Sequence, residues 1–146
     1  MGQAGKALAV ICVLMWLITL SGFDIRQRRL PDRLTIPGAV VILGGAAITG
    51  NGLPAALGGV ALFAVYAAVH LIAPAAMGAG DVKLAIGLGA LAGTFGADVW
   101  ILATLGASLL TAVLAVCCLL RGAGPSVPHG PSMCLAAVTA TALAVI

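Results

Sequence analysis

The chain has 146 residues, enough for one domain, and it is too apolar for a soluble protein. Hydrophobic residues make up 62% of it and charged residues only 8%, against about 25% in a typical soluble domain. The net charge of +3 is small and its basic residues are clustered, which favours orientation in a membrane over binding to nucleic acid. We therefore predict a single all-α membrane domain over residues 1–146.

Six apolar segments predict about six transmembrane helices, because about 20 apolar residues cross the hydrocarbon core of a bilayer. In chain order they cover residues 7–23, 34–48, 55–73, 81–96, 99–120 and 132–146. Gly- and Pro-containing turns at 49–54 and 121–131 separate neighbouring segments. The fourth segment is the shortest, and its uncharged part, residues 84–97, also fits a re-entrant segment.

The basic residues between these segments indicate one orientation. Four arginines lie between residues 26 and 33, after the first segment, whereas only Lys6 and the amino terminus precede it. Lys83 and Arg121 follow the third and fifth segments, and the opposite loops contain no Lys or Arg. Because basic loops stay in the cytoplasm, we expect the first, third and fifth loops there and the N-terminus outside.

Small residues are frequent in the segments and predict close helix packing, as in the Gly89-x-x-x-Gly93 pair. The four cysteines contain no C-x-x-C pair and lie in or beside apolar runs. They are predicted to be small packing residues rather than zinc ligands or disulfide partners. No metal site and no cofactor is predicted.

Two aspartates are expected at the same membrane face. Asp24 ends the first segment and Asp81 begins the fourth, whereas Asp98 belongs at the opposite face. Two carboxylates within hydrogen-bonding reach cannot both ionise easily, so one keeps its proton. Such a pair can hydrolyse an amide by activating water, without a metal or a Ser or Cys nucleophile. The sequence leaves open the alternative that Asp81 caps a helix.

Residues near these aspartates are candidates for supporting roles. Gly78 and Gly80 could give the backbone unusual conformations and let a substrate strand approach Asp81. Lys83 is a candidate for positioning substrate or backbone, although its long side chain also suits an interfacial anchor. Asp32, in "LPDRLTIP", is predicted to be a structural helix cap.

The two histidines have simpler predicted roles. His70 is expected to be packed and hydrogen-bonded within the third segment, and His129 is expected to be a loop residue.

Three motifs resemble a known family. "GAGD" followed by "VKL" (78–84) resembles the G-x-G-D signature of membrane aspartyl proteases. "DIRQRRLPDRLTIP" (24–37) resembles the other hallmark of type IV prepilin peptidases, an aspartate eight positions before the aspartate of a Pro-Asp pair. "PHGPSMCLA" (128–136) resembles the family's Phe-Gly-Pro segment, with His129 in place of the phenylalanine. The motifs occur in the family's order along nearly the whole chain.

The resemblance implies that Asp24 and Asp81 are the catalytic pair of an aspartic endopeptidase. Such enzymes cut the short basic leader from prepilin and pseudopilin precursors at the cytoplasmic face of the bacterial inner membrane. The expected partners are these precursors and membrane lipids, with no nucleic acid.

The family's N-terminal zinc and methyltransferase region has no counterpart here. The chain therefore resembles the compact, stand-alone peptidases of tight-adherence or related pilus systems. Archaeal preflagellin peptidases have a similar plan.

Two alternatives belong to other functional classes. A small ion channel or transporter subunit could use intramembrane aspartates to bind ions. However, the sequence shows no internal repeat, and both aspartates lie at segment ends. A non-catalytic assembly protein of a pilus machine is the other alternative, although that role does not need both aspartates.

Overall fold

The computed structural model describes residues 2–75, 77–122 and 127–145, which form six α-helices and no strand. The helices are α1 (Gln3–Gln27), α2 (Asp32–Ile48), α3 (Gly52–Ile72), α4 (Ala79–Gly93), α5 (Ala97–Leu120) and α6 (Gly130–Val145). Each overlaps one predicted segment, so the predicted all-α architecture is confirmed. Residues 123–126 of the predicted last loop and residue 146 of the last segment lie outside the described residues.

Helix length and composition identify a multi-pass membrane protein. Helices α1, α3 and α5 have 25, 21 and 24 residues and are apolar enough to cross a bilayer, and α6 is a shorter apolar helix. Large apolar side chains are exposed along the outside of the bundle, among them Ile18, Val60 and Leu109. These side chains suit a surface that contacts lipid rather than water.

Helix α4 is the central element of the bundle and packs against α2, α3, α5 and α6. Its 15 residues span about 22 Å, less than the roughly 30 Å of a hydrocarbon core. Leu84 and Leu88 of α4 are buried in the main core, with Leu20 of α1 and Leu62 of α3. Because other helices enclose α4, it does not have to match the bilayer thickness by itself.

Glycines bring α3 and α4 into close contact, as predicted for the Gly89–Gly93 pair. A methyl group added at Gly89 would collide with the carbonyl oxygen of Gly58, and one at Gly93 would lie 2.6 Å from the Pro54 carbonyl oxygen. The indole N–H of Trp100 also donates to the Gly58 carbonyl, at 2.9 Å. Backbone therefore meets backbone at this crossing, and only glycine leaves the necessary space.

We expect Gly89→Ala to destabilise the fold, because the neighbouring atoms belong to backbone that cannot move aside. Overpacking at such a site lowers the free energy of unfolding by about 1–3 kcal/mol. The matched control is Gly44→Ala in α2, where an added methyl group has no neighbour within 4 Å. Thermal unfolding in detergent should show a lower transition temperature for Gly89→Ala than for the wild type, and an unchanged one for Gly44→Ala. Equal transition temperatures for the two variants would show that the contact between α3 and α4 does not stabilise the fold.

Candidate active site

Asp24 lies in the last turn of α1 and is buried, with only 7% of its surface exposed. Its Oδ2 atom accepts a hydrogen bond of 3.0 Å from the backbone N–H of Gly130, the first residue of α6. The first N–H groups of a helix have no partner within the helix. The bond therefore supplies a donor to a buried carboxylate and an acceptor to the beginning of α6.

Gly130 leaves no room for a side chain at this contact. An added Cβ would lie 2.7 Å from Asp24 Oδ2 and 3.1 Å from its Cγ atom. A larger residue would therefore displace the carboxylate. The "HGP" motif is visible in the sequence, but its hydrogen bond to Asp24 is not, because the partner lies in the first helix.

Asp81 is the third residue of α4 and is half-buried. Its carboxylate turns back towards the N–H of Gly78, which occupies the N-cap position. A side chain at the third helical position that reaches the N-cap N–H is one half of a capping box. Asp81 thus supports the beginning of α4, as the alternative interpretation proposed, but the N-cap residue is Gly78.

The structure brings the two aspartates together from α1 and α4. Their carboxylates interact electrostatically, and both also act on the Cys134 thiol of α6. By contrast, Asp98 is exposed in the first turn of α5, one helix length along the chain from Asp81. Asp24 and Asp81 therefore share one site to which α6 also contributes.

His129, the residue before α6, contacts two further helices at this site. Its Nε2 atom lies 3.0 Å from the hydroxyl oxygen of Tyr66 on α3, and its Nδ1 atom lies 2.6 Å from Oγ1 of Thr111 on α5. Burial lowers the pKa of His129 below its ordinary value of 6.5. The prediction of a plain loop residue missed these bonds, because neither partner is near it in the sequence.

The unusual backbone conformations predicted at Gly78 and Gly80 do not occur, whereas the approach of a substrate strand stays a prediction. Gly78 has φ −70° and ψ 144°, an extended conformation open to any residue, and Gly80 is helical. What matters is the missing side chain, because an added Cβ at Gly78 would lie 3.3 Å from Asp81 Oδ2. At Gly80 it would lie 3.1 Å from the Leu30 side chain. Gly80 thus lets the α1–α2 connection pack against α4.

The cap role predicted for Asp32 is wrong, and Lys83 has a partner that the sequence did not predict. The N-cap of α2 is Pro31, and no side-chain hydrogen bond caps this helix. Asp32 is the first helical residue, and its carboxylate oxygens bind the Lys83 ammonium at 2.7 and 2.8 Å. This ion pair joins α2 to α4 and directs the charge of Lys83 to Asp32, so the lysine is not a free interfacial anchor. Its role in positioning substrate stays a prediction.

His70 is packed and hydrogen-bonded, as predicted. Its Nδ1 atom lies 2.7 Å from the Met77 carbonyl oxygen. A carbonyl oxygen only accepts, so Nδ1 carries the proton. The bond fixes the turn immediately before Gly78 and the helix of Asp81.

Two carboxylates with backbone N–H donors suit acid–base chemistry. Within residues 2–75, 77–122 and 127–145, no group of three or more His, Cys, Asp or Glu residues could hold a metal ion.

Comparison with known proteins identifies a family over most of the chain. The sequence model of the type IV leader peptidase family matches residues 11–116. The matched stretch includes both aspartates of the site and ends before His129 and Gly130. No curated protein and no solved structure matches the chain.

We expect the Asp32–Lys83 ion pair to contribute little to stability, because its side chains are 56% and 42% exposed. Exposed pairs contribute about 0–1 kcal/mol and are screened by salt. Asp32→Asn and Lys83→Met should each lower the free energy of unfolding by no more than about 1 kcal/mol. Denaturant unfolding of both single variants and the double variant measures this, and a loss of several kcal/mol would show that the pair is essential.

Proposed function

The chain belongs to the type IV leader peptidase family, and we propose that it is an aspartic endopeptidase with Asp24 and Asp81 as its catalytic pair. Its proposed substrates are prepilin or pseudopilin precursors, from which it removes the basic leader. The observation that carries the proposal is the electrostatic contact between two carboxylates that come from separate helices, one buried and one half-buried.

The proposed reaction needs one proton shared by the pair, because two neighbouring carboxylates do not both ionise easily. The ionised carboxylate takes a proton from water while the water oxygen bonds to the carbonyl carbon of the scissile peptide. The protonated carboxyl group donates a hydrogen bond to the carbonyl oxygen. The C–N bond then breaks as a proton passes to the leaving nitrogen, which gives a carboxylic acid and an amine.

The backbone contacts support this use of the carboxylates. The N–H of Gly130 donates to Oδ2 of Asp24, so Oδ1 of the same carboxylate can bind water or substrate. Gly78 holds Asp81 from the start of α4. Fixed donors of this kind restrict the orientation of a reacting group before substrate binds.

We propose that the site faces the cytoplasm from the bacterial inner membrane. Exposed Arg26, Arg28 and Arg29 lie at the end of α1 that carries Asp24. The connections after α2 and α4 contain no basic residue. The positive-inside rule places the arginine-bearing end on the cytoplasmic side, where a basic leader would also remain.

Removal of either carboxylate should abolish cleavage. Asp24→Asn and Asp81→Asn keep the side-chain shape but cannot complete the proton cycle, so each should lower the rate by about 10²–10⁴-fold or more. The double variant should be no worse than either single variant, because residues that act as a unit are not additive. The measurement follows a synthetic peptide with a basic leader and an apolar pilin-like segment on a gel.

The matched control for this prediction is Asp98→Asn, which alters an exposed aspartate away from the pair. It should cleave at the wild-type rate. Near-normal cleavage by the Asp24 or the Asp81 variant would refute the catalytic pair.

The orientation can be tested by labelling single cysteines in a variant without the native cysteines. A membrane-impermeant maleimide should reach cysteines at positions 29, 75 and 122 from the cytoplasmic side. It should reach position 51 from the opposite side. Position 122 is decisive, since external labelling there would mean that α4 or α5 does not cross the membrane.

A further inference from the structure

One neutral tautomer of the His129 imidazole fits every hydrogen bond around its ring. The Thr111 hydroxyl can donate to the Ala107 carbonyl oxygen, which only accepts, at 3.0 Å. Thr111 Oγ1 then accepts from His129 Nδ1–H, at 2.6 Å. This leaves a lone pair on Nε2 that accepts from the Tyr66 hydroxyl. One neutral tautomer therefore satisfies all three bonds.

The same residue begins α6 and adjoins the donor to Asp24. The carbonyl oxygen of His129 accepts from the N–H of Met133, at 3.1 Å, which closes the first turn of the helix. The next residue, Gly130, donates its N–H to Asp24 Oδ2. Only one peptide unit separates the anchored ring from the hydrogen bond at the carboxylate.

We propose that His129 is a positioning residue that, through its bonds to Tyr66 and Thr111, holds the Gly130 N–H against the Asp24 carboxylate. The ring ties the beginning of α6 to α3 and α5, and the clearance at Gly130 is too small to absorb a shift. A displaced α6 terminus would therefore turn or release the carboxylate of Asp24. The inference rests on the proposed function only for its cleavage readout.

The ring is also sensitive to pH. Because burial lowers the pKa of His129, the neutral form persists below pH 6.5 and is lost as the pH falls through the lowered value. Protonation removes the acceptor that the Tyr66 hydroxyl needs, so positioning is complete at neutral pH and weakens in acid. The ring contacts the ionisable hydroxyl of Tyr66 on α3 and the hydroxyl of Thr111 on α5. Asp81 on α4 acts electrostatically on Tyr66, and Asp24 on α1 and Asp81 both act on Cys134 of α6.

Two threonines of α5 provide a matched test. Thr111 and Thr104 both donate to the carbonyl four residues earlier and both are half-buried, but Thr111 also meets His129. We expect Thr111→Val to lower kcat about tenfold, the value of one or two hydrogen bonds, with KM unchanged. Thr104→Val should match the wild type. The substrate is the synthetic leader peptide used for the aspartate variants.

His129→Phe and Tyr66→Phe test the ring and its partner directly. Each should lower kcat about tenfold at pH 7.5, and combining them should cost less than the product of the two effects. The ratio of wild-type kcat to that of His129→Phe should fall towards one as the pH drops through the lowered pKa of His129, since phenylalanine does not titrate. The titration of the His129 ring, followed by NMR, gives that pKa, and a ratio that stays constant through it would mean that His129 only fills space. Thermal unfolding of each variant separates loss of positioning from loss of fold.

An NMR measurement that does not depend on cleavage tests the positioning role of His129 separately from the proposed function. In protein labelled with 15N-glycine, the Gly130 amide resonance, identified by its loss in Gly130→Ala, should move in Thr111→Val and stay in place in Thr104→Val. If the wild type fails to cleave but this resonance moves, the proposed function falls and the positioning role stands. If Asp24→Asn abolishes cleavage while Thr111→Val matches Thr104→Val in both readouts, the positioning role is overturned.

Discussion

The hydrogen bond from the Gly130 N–H to the Asp24 carboxylate connects the last helix to the first and is the constraint on which the site depends. A carboxylate buried in an apolar bundle costs several kcal/mol unless a donor or charge compensates it, of order the penalties measured for other buried ions. The beginning of α6 supplies that donor from N–H groups that the helix itself cannot use. Asp24 therefore gains its backbone donor only when α6 docks, so this part of the site is completed together with the bundle.

The short α4 solves a related problem for Asp81. A helix that had to cross the bilayer alone would need more residues, and its first turn would lie farther from the membrane interior. Because α4 is enclosed, its 15 residues suffice, and Asp81 at its beginning lies within electrostatic range of Asp24 at the end of α1. The glycine contacts with α3 fix this position, since backbone packed on backbone permits little sliding. Small residues in the core thus set the depth of a charged residue.

The helices were predictable from the sequence because run length and hydropathy are local properties. The shared site of Asp24 and Asp81 was also predictable, since alternating helices return the chain to the same face. The pairing of Lys83 with Asp32, and of Gly130 with Asp24, depends on contacts between residues 51 and 106 positions apart. No local pattern encodes such contacts. Asp32 was misassigned for this reason, because a cap is a local interpretation and an ion pair is not.

Each carboxylate of the pair is held at the beginning of a helix, and a histidine fixes each of the preceding turns. Nδ1–H of His70 donates to the Met77 carbonyl oxygen just before α4. The ring of His129, just before α6, is hydrogen-bonded to Tyr66 of α3 and Thr111 of α5. Turns are the least constrained parts of a helical bundle, whereas general acid–base catalysis needs its groups aligned to about 0.5 Å. An imidazole suits this task because one neutral ring offers both a donor and an acceptor while its body packs among apolar side chains. The two histidines thus anchor these turns as neutral rings, which add no charge of their own to the site.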